Sequence, residues 1–382
     1  MDFDVTEACN LGCVYCFKNE LTGPTMSFET AQRSLEWLLE ASANATSVNV
    51  NFMGGEPTLA WGMIERFVPW ARRRGRACGK LVTFSMTSNL TLWTDEIREF
   101  VDRYGFGILM SIDGCPDVQD TQRPAKNGKK VSETVAKWAT SLLRTRPGSQ
   151  ARMTLHPDHV GRLHESLTYL RGLGFREVAM ASADYGAWTP DHFERLSVQL
   201  DTVIDDIVAS YAGGEPFNLT VFKYYVGKLV APRRRAEEVE IRRQPCGAGK
   251  GYLMVDHTGD VWPCHRFDGA DEDAGGTGEM RLANIFKSGF NHELQRVFTD
   301  FDHLEQHKDR CTTCPVNEIC GGFCPAANLS ETGSLYTPHD AFCDWSQLLY
   351  AAAERLYHEA EQHGVLEALL KDSAEVESDG QR

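Results

Sequence analysis

Three closely spaced cysteines near the start of the chain constrain this protein more than any other feature. Residues 9 to 17 read Cys-Asn-Leu-Gly-Cys-Val-Tyr-Cys-Phe, so that three residues separate Cys9 from Cys13 and two separate Cys13 from Cys16. A short loop with this spacing can direct three thiolates at one iron–sulfur cube and leave the fourth iron without a protein ligand. The alternatives are a zinc loop, which normally needs four protein ligands or a catalytic water, and unrelated buried thiols.

With an aromatic residue on each side of its last cysteine, the Cys-x3-Cys-x2-Cys pattern resembles the signature of the radical S-adenosylmethionine (SAM) superfamily. In that family, an open iron of a [4Fe–4S] cluster binds SAM, and reductive cleavage yields a 5′-deoxyadenosyl radical that abstracts a substrate hydrogen. The resemblance implies that Cys9, Cys13 and Cys16 ligate this cluster and that Phe17 belongs to the cofactor site. It also implies an electron donor such as flavodoxin or ferredoxin.

Length and charge narrow the class of protein further. A chain of 382 residues can bury a large core, and we predict two domains. The formal charge of −15 argues against a nucleic-acid or anionic-membrane surface. No apolar run is long enough to span a bilayer, and the polar Asp2 and Asp4 stand where a signal peptide needs basic residues. We expect a cytoplasmic protein with no domain before the first strand.

The twelve cysteines do not indicate a disulfide framework, because small secreted scaffolds are much shorter and richer in cysteine. Ten of them fall into two groups with the spacing of metal ligands. Cys78 is assigned no role. Metal binding is therefore the better explanation of the cysteine content.

Strands alternate with helices through residues 1–212. We predict strands at 3–6, 48–52, 81–86, 108–112, 151–155 and 177–183. We predict helices at 27–41, 61–74, after 94, after 132, at 163–173 and at 191–211. This order predicts parallel pairing with right-handed crossovers. The predicted fold class is α/β, a partial (β/α)6 barrel.

The second predicted strand ends in Gly54-Gly55-Glu56-Pro57. Glycines directly after a strand allow the backbone to approach a ligand, although a plain turn is an equal alternative. The segment is similar to the motif with which radical SAM proteins hold the amino group of SAM. The resemblance therefore places all four residues in the cofactor site.

Polar residues also follow the later strands, at the end of the barrel where chemistry collects. In the peptide-modifying branch of the family, a Ser-x-Asp-Gly motif and a later arginine contact the ribose and carboxylate of SAM. Ser111, Asp113 and Arg123 fit that pattern, with Asn89 as a further candidate, and capped turns or surface ion pairs are the alternatives. Cys115 stands where the family commonly has proline. It is a candidate hydrogen donor, substrate tether or ligand, against the alternative of a packed thiol.

A connector at 213–243 leads to a second group of cysteines. Two of them flank a predicted hairpin with its turn at 256–259, and five follow, at Cys246, Cys264, Cys311, Cys314, Cys320, Cys324 and Cys343. Zinc ribbons are the structural alternative. The spacing resembles the SPASM domain, which carries two auxiliary [4Fe–4S] clusters. We place this domain at 244–345, a C-terminal helix at 346–371 and a disordered tail at 372–382.

The resemblance also implies how the seven thiols divide. Cys246, Cys264 and Cys324 belong to the first auxiliary cluster, and Cys311, Cys314, Cys320 and Cys343 belong to the second. The first cluster then lacks a fourth cysteine. It either binds substrate or takes another ligand, such as His257, His265 or an aspartate.

Radical SAM–SPASM proteins mostly modify ribosomally made peptides, so the resemblance implies a precursor peptide as substrate and a crosslink, ring or other C–H modification as product. Many carry a winged-helix recognition domain. We expect none here, so a separate recognition protein or the barrel surface would bind the leader. Sulfatase-maturing relatives place an aspartate after the Cys264 position as the expected base, whereas this chain has His265, a candidate acid–base residue. The alternatives are formylglycine formation in sulfatases, epimerisation with Cys115 as hydrogen donor, and a small-molecule radical dehydrogenase.

Overall fold

The predicted alternation of strands and helices is present through the first 212 residues. The computed structural model describes residues 1–18, 22–183, 187–234, 246–267, 280–302, 306–322 and 324–371. The predicted tail at 372–382 and residues 235–243 of the predicted connector lie outside the described residues.

The elements have the following bounds in chain order. The strands are β1 (Asp2–Thr6), β2 (Ser47–Gly54), β3 (Leu81–Ser88), β4 (Gly107–Ser111), β5 (Gln150–Leu155), β6 (Glu177–Ser182), β7 (Asn218–Leu219), β8 (Met254–Val255), β9 (Asp260–Trp262) and β10 (Ala283–Asn284). The helices are α1 (Phe28–Ala41), α2 (Trp61–Ala77), α3 (Asp95–Tyr104), α4 (Pro116–Gln122), α5 (Ser132–Thr145), α6 (Leu163–Leu173), α7 (Pro190–Ala212), α8 (Thr220–Arg234), α9 (His292–Thr299), α10 (Lys308–Cys311), α11 (Asn317–Cys320), α12 (Pro325–Thr332) and α13 (Asp340–Gln362).

The chain divides into two units, each made of three segments. The first comprises Met1–Ser111, Arg123–Thr145 and Gly247–Phe301, and the second comprises Ile112–Gln122, Arg146–Cys246 and Asp302–Arg382. The first unit thus joins the beginning of the chain to the hairpin region that follows Cys246.

In the first unit, β1, β2, β3 and β4 pair in parallel in chain order. β8 pairs in parallel with the other side of β1, β9 is antiparallel to β8, and β10 is antiparallel to β9. The predicted hairpin is confirmed, with Gly259 in its turn at a φ of +87°. The C-terminal hairpin therefore extends the sheet that begins at the N-terminus.

The two faces of this sheet differ in polarity because side chains alternate along each strand. One face is an apolar core in which Phe52 stacks on Phe84 and Phe106, with ring centroids 6.1 and 5.9 Å apart. The opposite face is polar: Asn51 Nδ2 donates to Asp2 Oδ1 at 2.8 Å, and Ser85 Oγ donates to Asn51 Oδ1 at 3.0 Å. Buried strands of an ordinary barrel carry branched apolar residues inside. The polar face is therefore suited to a ligand.

Helix α3 provides a local test of this architecture. Thr94 caps it, since the Thr94 side chain accepts a hydrogen bond from the Ile97 amide at 3.3 Å. We expect Thr94→Ala to lower the free energy of unfolding by about 1 kcal/mol, the usual cost of a lost N-cap. Urea titration of the anaerobic protein measures it, with Thr94→Ser as the matched control because serine retains the hydroxyl. An equal loss in both variants would contradict the capping role.

In the second unit, β5, β6 and β7 pair in parallel. The long helices α7 and α13 pack against each other through buried residues such as Leu200 and Leu349. Arg355 of α13 reaches two carboxylates of α7, with Nη2 2.9 Å from Asp205 Oδ1 and Nη1 bonded to Asp201. The C-terminal helix predicted from 346 thus packs within this unit.

Two elements differ from the predicted pattern. The predicted connector contains helix α8, in which Phe222 and Val226 are fully buried. Its apolar positions do not form a clear stripe, so periodicity alone did not reveal it. Helix α13 begins at Asp340, earlier than predicted, because His339 accepts a hydrogen bond from the Ala341 amide at 3.2 Å. No helix in the described part of the chain is long and apolar enough to cross a membrane.

Candidate functional site

The cysteine loop follows β1 and is attached to a second segment of the first unit. Leu11 is fully buried and forms an isolated bridge with Ala125. The amide of Gly12 donates to Pro124 O at 2.8 Å, and the amide of Lys126 donates to Asn10 O at 3.1 Å. These bonds hold the backbone between Cys9 and Cys13 from outside the loop.

Within the loop, backbone amides bond to the cysteines and turn the chain between them. The amide of Cys16 donates to Cys13 O at 3.1 Å, and the amide of Leu11 lies 3.4 Å from Cys9 Sγ. Burial raises the pKa of the Cys9 thiol, and the hydrogen bond from the Leu11 amide opposes this rise. The negative charges of Glu56 and Cys16 raise the pKa further. A cluster of metal cations would reverse this effect by stabilising the thiolates.

Asn89 links the loop to the end of β3. Its Nδ2 donates to Asn10 Oδ1 at 3.1 Å and lies 3.9 Å from Cys9 Sγ, and its Oδ1 accepts from the Thr91 amide at 3.0 Å. Asn10 Nδ2 in turn donates to Thr91 Oγ1 at 2.7 Å. The sequence placed Asn89 in the cofactor site, and the structure brings it to the predicted cluster ligand Cys9.

Gly54 and Gly55 lie against the backbone that leads into the cysteine loop. The Gly55 amide donates to Thr6 O at 2.7 Å, and the Glu56 amide donates to Ala8 O at 3.0 Å. A Cβ on Gly54 would lie 2.3 Å from Thr6 O, and a Cβ on Gly55 would lie 2.2 Å from Ala8 O. Both contacts are with backbone atoms, so glycine is required at both positions for the two segments to meet.

The Glu56 side chain is buried and bonded on both oxygens. Oε1 accepts from Thr58 Oγ1 at 2.6 Å and from Ser88 Oγ at 2.8 Å, and Oε2 accepts from the Asn89 amide at 2.8 Å. Burial raises the pKa of Glu56, although these hydrogen bonds oppose the rise. The carboxylate therefore joins the turn after β2 to the end of β3, while the backbone of the motif faces the cysteine loop.

Gly54 yields a testable expectation. Its φ is +138°, a conformation that L side chains rarely adopt. Gly54→Ala should cost about 1 to 3 kcal/mol of stability and weaken SAM binding, because the β2 terminus must move away from Thr6. Isothermal titration of SAM into the anaerobic, reconstituted protein measures the effect. Gly62→Ala is the control, since a Cβ there meets nothing within 4 Å, and SAM affinity equal in the two variants would contradict it.

The remaining predicted SAM contacts are divided between the units. Arg123 is buried in the first unit, and its guanidinium lies 5.4 Å from the ring centroid of Tyr15 in the cysteine loop. Ser111 is buried at the end of β4. Asp113 belongs to the second unit, where its Oδ1 accepts from the Thr154 amide at 2.9 Å. Arg123 is thus placed at the loop, whereas Asp113 fastens the segment after β4 to β5.

Cys115 is buried in the second unit against helix α6. Its Sγ lies 3.7 Å from Ser166 Oγ, and a Cβ on the preceding Gly114 would lie 2.2 Å from the same oxygen. These are the surroundings of a packed thiol, the alternative weighed from the sequence. The role of Cys115 as hydrogen donor stays a prediction.

His265, in contrast, faces the polar side of the first unit's sheet. Its Nδ1 lies 3.1 Å from Asp2 Oδ2 and 2.8 Å from Tyr252 Oη. Its ring centroid is 6.0 Å from that of Phe17, and the Arg266 guanidinium lies 5.5 Å from the Phe17 centroid. The candidate acid–base residue and the candidate cofactor residue Phe17 are therefore neighbours.

Burial works to raise the pKa of Asp2, but the hydrogen bond and charge of His265, with hydrogen bonds from Asn51 and Tyr252, lower it overall. Sequence reasoning used Asp2 only to argue against a signal peptide. The signal that it missed is the alternation of Asp2, Phe3, Asp4 and Val5 in a strand that is buried along its whole length. Acidic residues in such a strand are uncommon unless they are paired.

Asp4 is the second buried acid of β1 and forms an ion pair with Lys18, the residue that follows Phe17. This pair ties the end of the cysteine loop to the strand from which the loop departs. His257, like His265 a candidate ligand of the first auxiliary cluster, has its Nδ1 3.2 Å from Glu7 Oε1. Both contacts lie within the first unit.

Four C-terminal cysteines approach one another in the second unit. The amide of Cys314 donates to Cys311 O at 3.1 Å, Cys320 ends helix α11, and Cys343 lies in the first turn of α13. Burial raises the pKa of Cys343 to about 12, with Cys320, Cys311 and Cys314 adding to the rise and Arg310 opposing it. These four thiols are the ones that the family resemblance assigns to the second auxiliary cluster.

Cys264 is buried in the first unit, and Cys246 and Cys324 belong to the second. Among the described residues, no three His, Cys, Asp or Glu side chains converge on a position for a single metal ion. The donors in both groups are cysteine sulfurs, and thiolates are the preferred ligands of iron–sulfur clusters. The chemistry of the donor sets therefore fits clusters of this kind.

Two family models match the chain. The Radical SAM superfamily matches residues 3–166, and the SPASM iron–sulfur cluster-binding domain matches residues 246–315. The first match contains the N-terminal cysteine loop and the second contains Cys246, Cys264, Cys311 and Cys314. The family predicted from the two groups of cysteines is confirmed.

Two curated relatives match most of the chain, and a third matches part of it. A serine-type anaerobic sulfatase-maturating enzyme of Klebsiella aerogenes is 23% identical over 349 residues, covering 86% of this chain and 79% of the relative. PqqA peptide cyclase of Gluconobacter oxydans is 26% identical over 339 residues, covering 87% of this chain and 86% of the relative. An uncharacterized protein of Methanocaldococcus jannaschii is 33% identical over 125 residues, which span 42% of that relative and 33% of this chain.

The fold is also that of a solved protein. The structure of anSMEcpe with bound AdoMet and Cp18Cys peptide matches with a TM-score of 0.75 at 18% identity and covers 94% of this chain and 99% of that one. This likeness confirms the predicted α/β fold class. The two domains imply SAM and [4Fe–4S] clusters as cofactors. The chain belongs to the radical SAM superfamily and carries a C-terminal SPASM domain.

Proposed function

We propose that this protein modifies a ribosomally made peptide by radical abstraction of a C–H hydrogen, giving a crosslink, ring or related product. The observation that carries the proposal is the match, over 86% or more of the chain, to relatives named as a peptide cyclase and a sulfatase-maturating enzyme. Each name describes chemistry on a polypeptide. A small-molecule dehydrogenase has no comparable support.

The residues divide into two tasks under this proposal. Cys9, Cys13 and Cys16 would hold the SAM-cleaving cluster, and the cysteines from 246 to 343 would hold the auxiliary clusters. When bound, these groups and SAM supply a 5′-deoxyadenosyl radical and an acceptor for a second electron. The remaining chemistry belongs to side chains that bind and orient.

The SAM-binding residues would be Phe17, Asn89, Ser111, Arg123 and the Gly54–Pro57 segment. The contacts of Asn89 with Cys9 and of Arg123 with Tyr15 support this grouping for the first unit. Asp113 would act indirectly, by holding the segment after Ser111 to β5. His265, next to Phe17, would meet the substrate.

The proposal also names partners. An electron donor such as flavodoxin or ferredoxin would reduce the SAM-cleaving cluster. Leader recognition would need a separate protein or a surface of the barrel. Pull-down of a tagged precursor peptide with and without proteins encoded near it would separate these two modes of recognition.

The test is anaerobic co-expression with the short peptide encoded beside the gene, followed by mass spectrometry. A mass lower by about two hydrogens, present with the wild-type enzyme and absent with Cys13→Ala, is the expected result, because an oxidative bond removes two hydrogen atoms. Tandem fragmentation then locates the modified residue. An unchanged mass, with no deuterium uptake in deuterated water, would reject both crosslinking and solvent-quenched epimerisation for that peptide.

Formylglycine formation is the second candidate, supported by the sulfatase-maturating relative. His265 in place of the aspartate expected of such maturases counts against it. Sulfatase-derived peptides with cysteine or serine at the target position, incubated with reduced enzyme and SAM, distinguish the two. Formation of an aldehyde that reacts with a hydrazine reagent would make this the primary function.

A further inference from the structure

Asp2 has no role in the predicted site, although its carboxylate is buried and bonded on both oxygens. Oδ1 accepts from Asn51 Nδ2 at 2.8 Å, and Oδ2 faces His265 Nδ1 at 3.1 Å. Asn51 is itself held, since its Oδ1 accepts from Ser85 Oγ at 3.0 Å. The carboxylate therefore has a fixed orientation on the polar face of the sheet.

This orientation determines which imidazole nitrogen is available. Nδ1 of His265 also lies 2.8 Å from Tyr252 Oη, so Asp2 and Tyr252 both engage this nitrogen. Among the described residues, Nε2 has no hydrogen-bond partner, and the side chain is 27% exposed. In a neutral imidazole whose Nδ1–H binds a carboxylate, Nε2 carries the lone pair. In this tautomer, Nε2 of His265 is a hydrogen-bond acceptor open to a ligand.

The location of the ring identifies that ligand. Phe17, whose centroid is 6.0 Å from the His265 ring, follows the last cysteine of the predicted SAM-cleaving loop and is 46% exposed. A group that meets both Phe17 and His265 lies beside the loop that would hold the SAM-cleaving cluster. Under the proposed function, on which this step depends, that group is the peptide near its modified residue.

We propose that Asp2 is a positioning residue, which holds the His265 imidazole so that Nε2 accepts a hydrogen bond from an N–H or O–H group of the substrate peptide. Asp2 touches neither the substrate nor a cofactor. It acts by fixing the rotation of the ring and the nitrogen that carries hydrogen.

The test uses Asp2→Asn, which retains size and burial. Because Asn51 Nδ2 donates to the side-chain oxygen at position 2, the new amide NH2 should turn toward His265 Nδ1 and donate to it. Hydrogen then moves to Nε2, which can no longer accept. We expect the affinity of unreduced, reconstituted holoenzyme for a fluorescein-labelled precursor peptide to fall about tenfold, because one hydrogen bond is lost.

His265→Gln and His265→Asn provide a second measurement. A glutamine amide reaches the position of Nε2, and an asparagine amide reaches that of Nδ1. Peptide affinity should therefore stay within about threefold of wild type in His265→Gln and fall about tenfold in His265→Asn. In a His265→Gln background, Asp2→Asn should change the affinity less than about twofold, because no ring remains to be oriented.

An equal loss from Asp2→Asn in the wild-type and in the His265→Gln backgrounds would overturn the inference, since Asp2 would then act through general stability. Asp2→Asn binding with wild-type affinity would overturn it too. Iron content and visible absorption of each variant verify cluster loading independently of peptide binding. If the wild-type enzyme neither binds nor modifies the precursor peptide, the proposed function fails and this inference with it; intact wild-type modification with an unaffected Asp2→Asn variant rejects the inference alone.

Discussion

Cys13→Ala will abolish SAM cleavage. Cys13 is the middle thiol of a loop whose backbone is held on both sides, by the bonds of Gly12 to Pro124 and of Cys16 to Cys13 itself. Cys9 and Cys16 are the other two cysteines of this loop. Loss of an outer partner of a metal ligand already costs about 10- to 100-fold, so loss of a ligand should cost more than about a hundredfold.

The measurement is formation of 5′-deoxyadenosine by the reconstituted enzyme with dithionite and SAM, quantified together with iron. If all three clusters form in the wild-type protein, the variant should retain about eight of about twelve iron atoms per chain. Cys78→Ala is the matched control, because Cys78 is exposed at the end of α2. Full iron content and cleavage in Cys13→Ala would refute the assignment of this loop.

Glu56→Ala will destabilise the first unit strongly. The Glu56 carboxylate accepts hydrogen bonds from the amides of Thr58 and Asn89 and from two hydroxyls, all in a buried region. Alanine leaves these donors without an acceptor, and each buried unsatisfied group costs about 1 to 3 kcal/mol. Relief of the carboxylate's own burial, which raises its pKa, offsets part of this loss. We expect the free energy of unfolding to fall by about 3 to 5 kcal/mol in total.

Thermal unfolding of the anaerobic protein should show a Tm lower by about 6 to 15 °C for Glu56→Ala. Glu56→Gln should lower the free energy of unfolding by about 1 to 3 kcal/mol. The glutamine oxygen can still accept hydrogen bonds from Thr58 and Ser88, but its NH2 group faces the Asn89 amide, which is also a donor. Glu65→Ala, at an exposed position of α2, is the neutral control. If Glu56→Ala melts at the same temperature as Glu65→Ala, the carboxylate does not join β2 to β3.

The order of strands and helices was predictable because polar and apolar residues alternate clearly along the chain. The helices at 27–41 and after residue 94 were predictable, and Ser27 and Thr94 each accept a hydrogen bond from the first turn of the helix that follows. Helix α8 was not, since burial of Phe222 and Val226 depends on tertiary packing rather than on a periodic stripe. Propensity cannot supply contacts between residues distant in sequence.

The same limit applies to the candidate site. Cysteine spacing is local, so the loop at 9–16 and the group of five cysteines from 311 to 343 could be recognised before the fold was known. His265 contacts both Asp2 and Phe17, although it lies far from both of them in the chain. The sequence singled out His265 and Phe17 individually, but only the pairing of β8 with β1 brings Asp2 to them.

The pairing of β8 with β1 also determines where the chain of this enzyme can be truncated. β1 precedes the cysteine loop, β8 pairs with the side of β1 that β2 leaves open, and β9 pairs with β8. A fragment ending before residue 246 would expose that side as a row of unpaired amides and carbonyls, a template for association with another chain. The hairpin after Cys246 thus serves as a protective edge for the N-terminal sheet, and a soluble truncated form has to include it.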